Sequence, residues 1–430
     1  MLALCGFATI VAVLIAIMSK RLSPLVALIA LPALAALALG QASSLPAYML
    51  QGIQAIAPVA VMFMFAILFF GIMNEVGVFQ PFIQATLRLC GHDPRKLFVG
   101  VVLLTALVHL DGSGASTFLV VIPAMLPLFD QLQIDRRILA CLVAMSAGVN
   151  NMLPWGGPTI RAAAALDIPV MTLYQPLILI HLGGLLFVMA VAYWLGQREQ
   201  VRQAGNHAKQ EPAVSLPTEQ QMVLSKPRWW FNLLLIITTL AAIISGLVPP
   251  AIAFIGGALL ALVVNYPNLE AQKNMIDTHA KPVFMMVSIL FAAGCFTGIL
   301  RESGMLSAMA TQGSALLAPE LASSLPLIVA VLAMPLSLLF DPDSFYFGIL
   351  PVLSGIAVDA GVAPGSVAHA ALLGQMTTGF PVSPLTPATF LLVGLVQINL
   401  ADHQRFTIPF LYVTSLFMTL LAVLLGVIVL

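Results

Sequence analysis

Apolar runs, several of them near the length of a bilayer crossing, recur through this chain. They lie at Leu2–Met18, Pro24–Leu39, Ile56–Met73, Ile138–Val149 and Met171–Leu195, then at Trp229–Leu247, Ala251–Val264, Pro282–Leu300, Ser366–Met376 and Thr407–Leu430. A helix needs about 20 apolar residues to cross the hydrocarbon core. Water cannot be the solvent for the rest of the surface, because only 8% of the 430 residues are Asp, Glu, Lys or Arg, against about 25% in soluble domains. The expected fold class is therefore an all-α polytopic membrane protein. A net charge of zero gives no basis for a nucleic acid partner and leaves membrane lipid as the surroundings. Cys5, Cys90, Cys141 and Cys295 show no CxxC spacing, so neither a zinc site nor a redox pair is indicated. No basic residue precedes the first apolar run, which reads as a membrane helix and not a cleaved signal.

Several runs stop too early. Leu97–Leu110 and Thr117–Phe129 flank the polar stretch Asp111–Thr117, and Leu325–Phe340 and Phe345–Leu353 flank Asp341-Pro342-Asp343-Ser344. Each pair is expected to form a re-entrant hairpin that turns inside the membrane. Ile138–Val149 and Ser366–Met376 continue past Asn150–Thr159 and Thr377–Thr389 and read as broken helices. Between the halves, Gly196–Arg228 carries eight charged residues and reads as a linker. The domain expectation is thus 1–195, a linker at 196–228, and 229–430.

The halves repeat each other. Gly71-Ile72-Met73-Asn74-Glu75-Val76-Gly77 matches Gly298-Ile299-Leu300-Arg301-Glu302-Ser303-Gly304, 227 positions later (298 less 71). The same offset carries Asn150 to Thr377, Pro154 to Pro381 and Thr159 to Thr386. Each half then has five crossings and one hairpin, and the odd number inverts the second half. With both termini outside and the linker cytoplasmic, fifteen of the 17 Lys and Arg residues fall inside, and only Arg161 and Arg301 outside.

Unwound backbone persists in a bilayer only where protein or water satisfies it. Two opposed hairpins and two helix breaks are expected to meet at the midplane, where helix N-termini supply free N–H groups and partial positive charge. Ser113, Ser116, Thr117, Asn150 and Asn151 from one half join Ser344, Thr377, Thr378, Ser383 and Thr386 from the other. Their hydroxyls and amides suit a carboxylate-bearing solute, and Gly114 with its neighbouring glycines admits close backbone approach. Asp111, Asp341 and Asp343 change the chemistry. Each costs about 2.5–3.5 kcal/mol at a helix centre, so each is a functional candidate. Three acids repel a free polycarboxylate, so protons, Na⁺ or a divalent metal must travel with it. Mg²⁺ and Ca²⁺ take oxygen ligands, and citrate chelated to such an ion arrives partly neutralised.

The runs DGSGASTFLVVIPAMLP, NNMLPWGGPT, FDPDSFYFGILPVL and GQMTTGFPVSPLTPATFLLVG resemble the citrate–divalent metal/proton symporter family (CitMHS) of the ion transporter superfamily. FAILFFGIMNEVGVF and LADHQRFTI extend the resemblance over essentially the whole chain. It implies proton-driven uptake of citrate complexed with a divalent cation such as Mg or Ca, with no prosthetic group. From the wider superfamily it implies a homodimer, with a scaffold domain and an elevator-like transport domain, in the cell inner membrane. Sodium-coupled dicarboxylate relatives carry Ser-Asn-Thr at hairpin turn and helix break. The acids at Asp111, Asp341 and Asp343 depart from that pattern and favour metal and proton coupling.

Three other readings stay open. One is a proton- or sodium-coupled carrier of another organic anion, such as a dicarboxylate or gluconate. Another is an intramembrane hydrolase using Asp341 and Asp343, which would not need two matched half-sites. The third is a channel. His109 is placed as a proton relay or a packing residue, Arg161 on the outer side as a helix-end anchor in preference to a residue that steers anions inward, and Glu75 and Glu302 as helix-end residues.

Overall fold

The computed structural model describes residues 1–19, 21–90, 93–205, 226–317 and 319–429. The helices of the first half are α1 (Leu2–Met18), α2 (Pro24–Ala38), α3 (Leu45–Glu75), α4 (Gln80–Cys90), α5 (Pro94–Val108), α6 (Gly114–Gln131), α7 (Arg136–Asn150), α8 (Gly157–Leu166), α9 (Val170–Tyr174) and α10 (Ile178–Gly205). The second half contains α11 (Lys226–Ile244), α12 (Pro250–Asn265), α13 (Leu269–Glu302), α14 (Met305–Leu316), α15 (Pro319–Ser323), α16 (Leu325–Leu336), α17 (Leu350–Asp359), α18 (Ser366–Leu372), α19 (Pro387–Val396) and α20 (Leu400–Leu424). Among the described residues there is no strand. Six helical segments are long and apolar enough to cross a membrane, while α1, α2 and α12 are shorter apolar helices. The central part of the expected linker, 206–225, lies outside the described residues; its start to Gly205 continues α10, and α11 begins at Lys226.

Helix starts follow local chemistry. Asp93 caps α5 by accepting from the Arg95 N–H at 3.0 Å, and Pro94 takes the first helical position, where no N–H is needed. The Arg95 guanidinium beside Asp93 also holds that carboxyl below the usual carboxylate range. Asn268 caps α13 by accepting from the Ala271 N–H at 2.7 Å. Glu75 and Glu302 are the last residues of α3 and α13, in line with their expected place at helix ends.

The halves share one order: two helices, a long helix, a short helix, a hairpin, a broken helix and a final long helix. The long helices α3 and α13 run against each other. A Cβ added at Gly52 would fall far inside contact with the Gly294 carbonyl oxygen, and one at Gly298 would stand 2.9 Å from the Gly52 backbone. Backbones this close require small residues, the device that lets membrane helices associate without a hydrophobic driving force. The contact has a counterpart one sequence offset away. Gly71 lies against the His279 ring, and 227 positions carry Gly52 to His279 and Gly71 to Gly298.

The hairpin of α5 and α6 turns through a single 3₁₀ turn, His109–Asp111, and Gly112. Gly112 has φ +70, and a Cβ there would stand 3.3 Å from the Trp155 carbonyl oxygen, so glycine fits both the left-handed backbone and the narrow space. The hairpin of α16 and α17 turns at Ser337–Asp341 and re-enters from Pro342 into a π-helical stretch, Ser344–Ile349. The two broken helices are α7–α8 and α18–α19. The first is interrupted between Asn150 and Gly157, the second over a longer segment between Leu372 and Pro387.

Candidate functional site

The turn of the first hairpin and both helix breaks border one cavity of about 500 Å³. Asp111 sits at its wall. The carboxylate accepts from the Ser113 N–H at 2.8 Å and from the Ser116 hydroxyl. Both donors are neutral, and among the described residues Asp111 has no ion-pair partner. Ser113 in turn caps α6, accepting from the Ser116 N–H at 3.4 Å. Trp155, in the first break, is buried and donates its indole N–H to the Leu110 carbonyl at 2.7 Å. Its ring stacks on Phe70 and meets Phe254 edge-on. The break therefore clamps the turn from one side.

The second half closes the other side. Phe380, in the second break, stacks on His109 and Phe118, and a Cβ added at Gly114 would stand 2.7 Å from the Phe380 ring. Thr386 borders the cavity, with its hydroxyl donated toward the Phe380 carbonyl at 2.8 Å. Asn151, also at the wall, donates to the Met376 carbonyl at 2.7 Å. Each broken helix thus touches the opposite half.

Of the sequence-predicted residues, the structure brings Asp111, Ser113, Gly114, Ser116, Asn151 and Thr386 to this cavity. The others do not line it. Thr117 donates to the Ser113 carbonyl and meets His109 Nδ1 at 2.9 Å. Asn150 turns toward His181, which Tyr174 holds from its other nitrogen. Ser383 donates to the Ser337 carbonyl at 2.6 Å. Thr377 and Thr378 are fully buried, and their hydroxyls have no hydrogen-bond partner among the described residues. Asp341 accepts from the N–H groups of Asp343 and Ser344 at 3.0 and 3.1 Å and from the Ser344 hydroxyl at 2.5 Å. Pro342, between the two acids, does reach the cavity.

Asp343 is buried and paired with Arg161 of α8, Nε to Oδ1 at 2.8 Å. This corrects the preference for Arg161 as an outer-face anchor: the residue is 7% exposed and lines the cavity. A buried guanidinium is costly to desolvate, and the Asp343 carboxylate offsets that cost. His279, Asn74 and Gly71 also border the cavity and were not assigned to it from sequence. Gly71 and Asn74 belong to the repeated heptad, and that repeat was the available signal. For Arg161 the signal was a charge two residues beyond a predicted break, to which the rule for intramembrane acids applies equally.

The model of the citrate transporter family matches residues 13–374. A "Citrate transporter" of Bacillus subtilis (strain 168) is 40% identical over 431 residues, covering all of both chains. A "Mg(2+)/citrate complex secondary transporter" of the same organism is also 40% identical, over 435 residues covering 100% of this chain and 99% of that one. Among solved structures, the Alcanivorax borkumensis YdaH transporter, described as having an unusual topology, superposes with a TM-score of 0.65. It is 18% identical, with 90% of this chain and 88% of that one covered. Neisseria gonorrhoeae MtrF, from a class of antimetabolite efflux pumps, superposes with a TM-score of 0.60 at 12% identity, with 91% and 85% covered. At these identities the two structures speak for the fold.

Proposed function

The chain belongs to the citrate transporter family, a family of multi-pass membrane transporters and not of enzymes, and from that premise we propose that it takes up citrate complexed with a divalent cation, in symport with protons. The observation that carries the proposal is Asp111: an acid without a basic partner, facing a cavity built from a hairpin turn and two helix breaks. A cationic ligand or a proton is what such a carboxylate lacks. The relative that carries an Mg²⁺/citrate complex at 40% identity supports the metal. Among the described residues no three His, Cys, Asp or Glu side chains gather into a metal-binding group. A metal bound at Asp111 would therefore bring most of its oxygen ligands with it, as a citrate chelate does. Ser113 and Ser116 would hold the carboxylate in place, and Gly114, Asn151 and Thr386 would bound the organic part. Asp341 and Asp343 would serve the second turn, with Ser344, Thr377, Thr378 and Ser383 behind it.

For the transport cycle, the proposal is alternating access by an elevator-like shift of the hairpins and broken helices against α3 and α13. The common element order and the contacts shared at the 227-residue offset support two inverted repeats, 1–195 and 229–430. The positive-inside count supports termini outside and the linker in the cytoplasm, in the inner membrane. The homodimer rests on family resemblance.

The test is uptake of labelled citrate into proteoliposomes across a panel of divalent ions, with pH and Na⁺ gradients imposed separately. Uptake that requires a divalent ion and follows the pH gradient is expected. Metal-independent or Na⁺-driven uptake, or faster uptake of a dicarboxylate or gluconate, would replace this reading with that of another organic anion carrier.

A further inference from the structure

Two opposite charges border the cavity without neutralising each other. Asp111 has no ion-pair partner among the described residues, and the ion pair of Arg161 is with Asp343. The guanidinium is also under-used. Of its five N–H donors, one meets Asp343 at 2.8 Å, one the Gly157 carbonyl at 3.2 Å, and one the Met286 sulfur, a weak acceptor, at 3.6 Å. A buried pair that served packing alone would have its remaining donors satisfied. The charge also breaks the repeat. The residue 227 positions on from Arg161 is Ala388, which lines the same cavity. The arginine thus gives the cavity a cationic end that the second half does not duplicate.

We infer that Arg161 is a substrate-binding residue that takes a free carboxylate of the transported complex, while Asp111 faces its metal end, and that Asp343 is the positioning residue that holds the guanidinium in place. The inference rests on the metal–citrate reading above and deepens it. Citrate has three carboxylates and a hydroxyl. When two carboxylates and the hydroxyl chelate a divalent cation, one carboxylate remains free and the complex is dipolar with a net charge of minus one. A planar guanidinium with donors to spare matches that carboxylate. A chelated dicarboxylate leaves no such group, so Arg161 selects for the third carboxylate.

The experiment compares Mg²⁺-citrate with Mg²⁺-malate in proteoliposomes. Uptake of Mg²⁺-citrate by the unaltered protein is measured first, and its failure would count against the parent reading alone. The double variant Arg161→Gln/Asp343→Asn removes both charges together, so no uncompensated ion is left buried. Its KM for Mg²⁺-citrate is expected to rise by about tenfold or more, and the excess of Mg²⁺-malate needed to halve Mg²⁺-citrate uptake to fall by about tenfold. Arg161→Lys keeps the charge and the Asp343 partner but loses the fork, and is expected to show the same loss of preference in smaller measure. If the double variant does not assemble, the lysine variant decides. An unchanged citrate-to-malate preference in a variant that elutes as intact protein overturns the inference.

Discussion

The two hairpin turns occupy the same place in the two halves, yet they are finished differently. Both use an aspartate that accepts from the N–H two residues on, Asp111 from Ser113 and Asp341 from Asp343. In the first turn the carboxylate stays at the cavity wall, held by neutral donors. In the second, the chain passes at once into a buried π-helical stretch, and the next acid, Asp343, is bound by Arg161. The first turn therefore presents an acid with no ion-pair partner among the described residues, and the second an acid that already has a counter-ion. Two turns at corresponding places in the element order thus differ in charge pairing.

The comparison is tested most severely at Asp111. Asp111→Asn keeps the size and can still accept from Ser113, so the folded protein should survive. A charge-assisted contact is worth about 1.5–3 kcal/mol, and every 1.4 kcal/mol is tenfold. Metal–citrate uptake should fall by up to about a hundredfold, with thermal stability in detergent nearly unchanged. Asp343→Asn should lower stability as well as citrate uptake, because it releases the guanidinium that Asp343 positions. It strands the Arg161 charge in a buried position, and breaking a buried pair costs about 3–5 kcal/mol, read as a drop in Tm and in yield of intact protein. If Asp343→Asn left Tm unmoved, the acid of the second turn would not be the paired one. Asp341→Ala removes a local cap that accepts from the Asp343 and Ser344 N–H groups and should cost about 1 kcal/mol in thermal unfolding. Ser116→Ala removes one of two donors to Asp111, for about 0.5–1.5 kcal/mol, and should change the KM for metal–citrate by several-fold. The smallest effect belongs to an ion pair of a different kind. Arg301 and Asp167 meet at 2.6 Å but are each more than 40% exposed, so Arg301→Gln should move Tm by an amount equivalent to about 0.5 kcal/mol or less.

The turns and breaks were legible because a polar or acidic residue inside a greasy run is costly to bury unless the chain turns or unwinds around it. Asp111 at the first turn and Asp341–Asp343 at the second are where the sequence puts them, and α7 stops at Asn150 as expected. What the sequence could not supply is direction. A helix break exposes polar groups on every side, and only one side meets the cavity. Asn151 faces it while Asn150, one residue earlier, turns to His181. Thr386 reaches the wall, while Ser383 is spent on Ser337. Arg161 was misplaced because its partner is 182 residues away, and a single-helix view sends a lone cation to the water interface. The lengths of α3 and α13 were underestimated for a related reason. Both helices extend beyond their apolar runs, through Leu45–Ala55, where Gln51 and Gln54 interrupt the apolar residues, and through the charged turns Leu269–Lys281.

The indole of Trp155, hydrogen-bonded to the backbone of the first turn, makes the protein its own optical reporter. The other three tryptophans, Trp194, Trp229 and Trp230, lie on α10 and α11, so replacing them with phenylalanine would leave one emitter beside the cavity. A rearrangement of the turn on filling would stretch or break that hydrogen bond to the Leu110 carbonyl. The emission colour and quenching of a single native fluorophore would then follow occupancy in real time, with no dye attached.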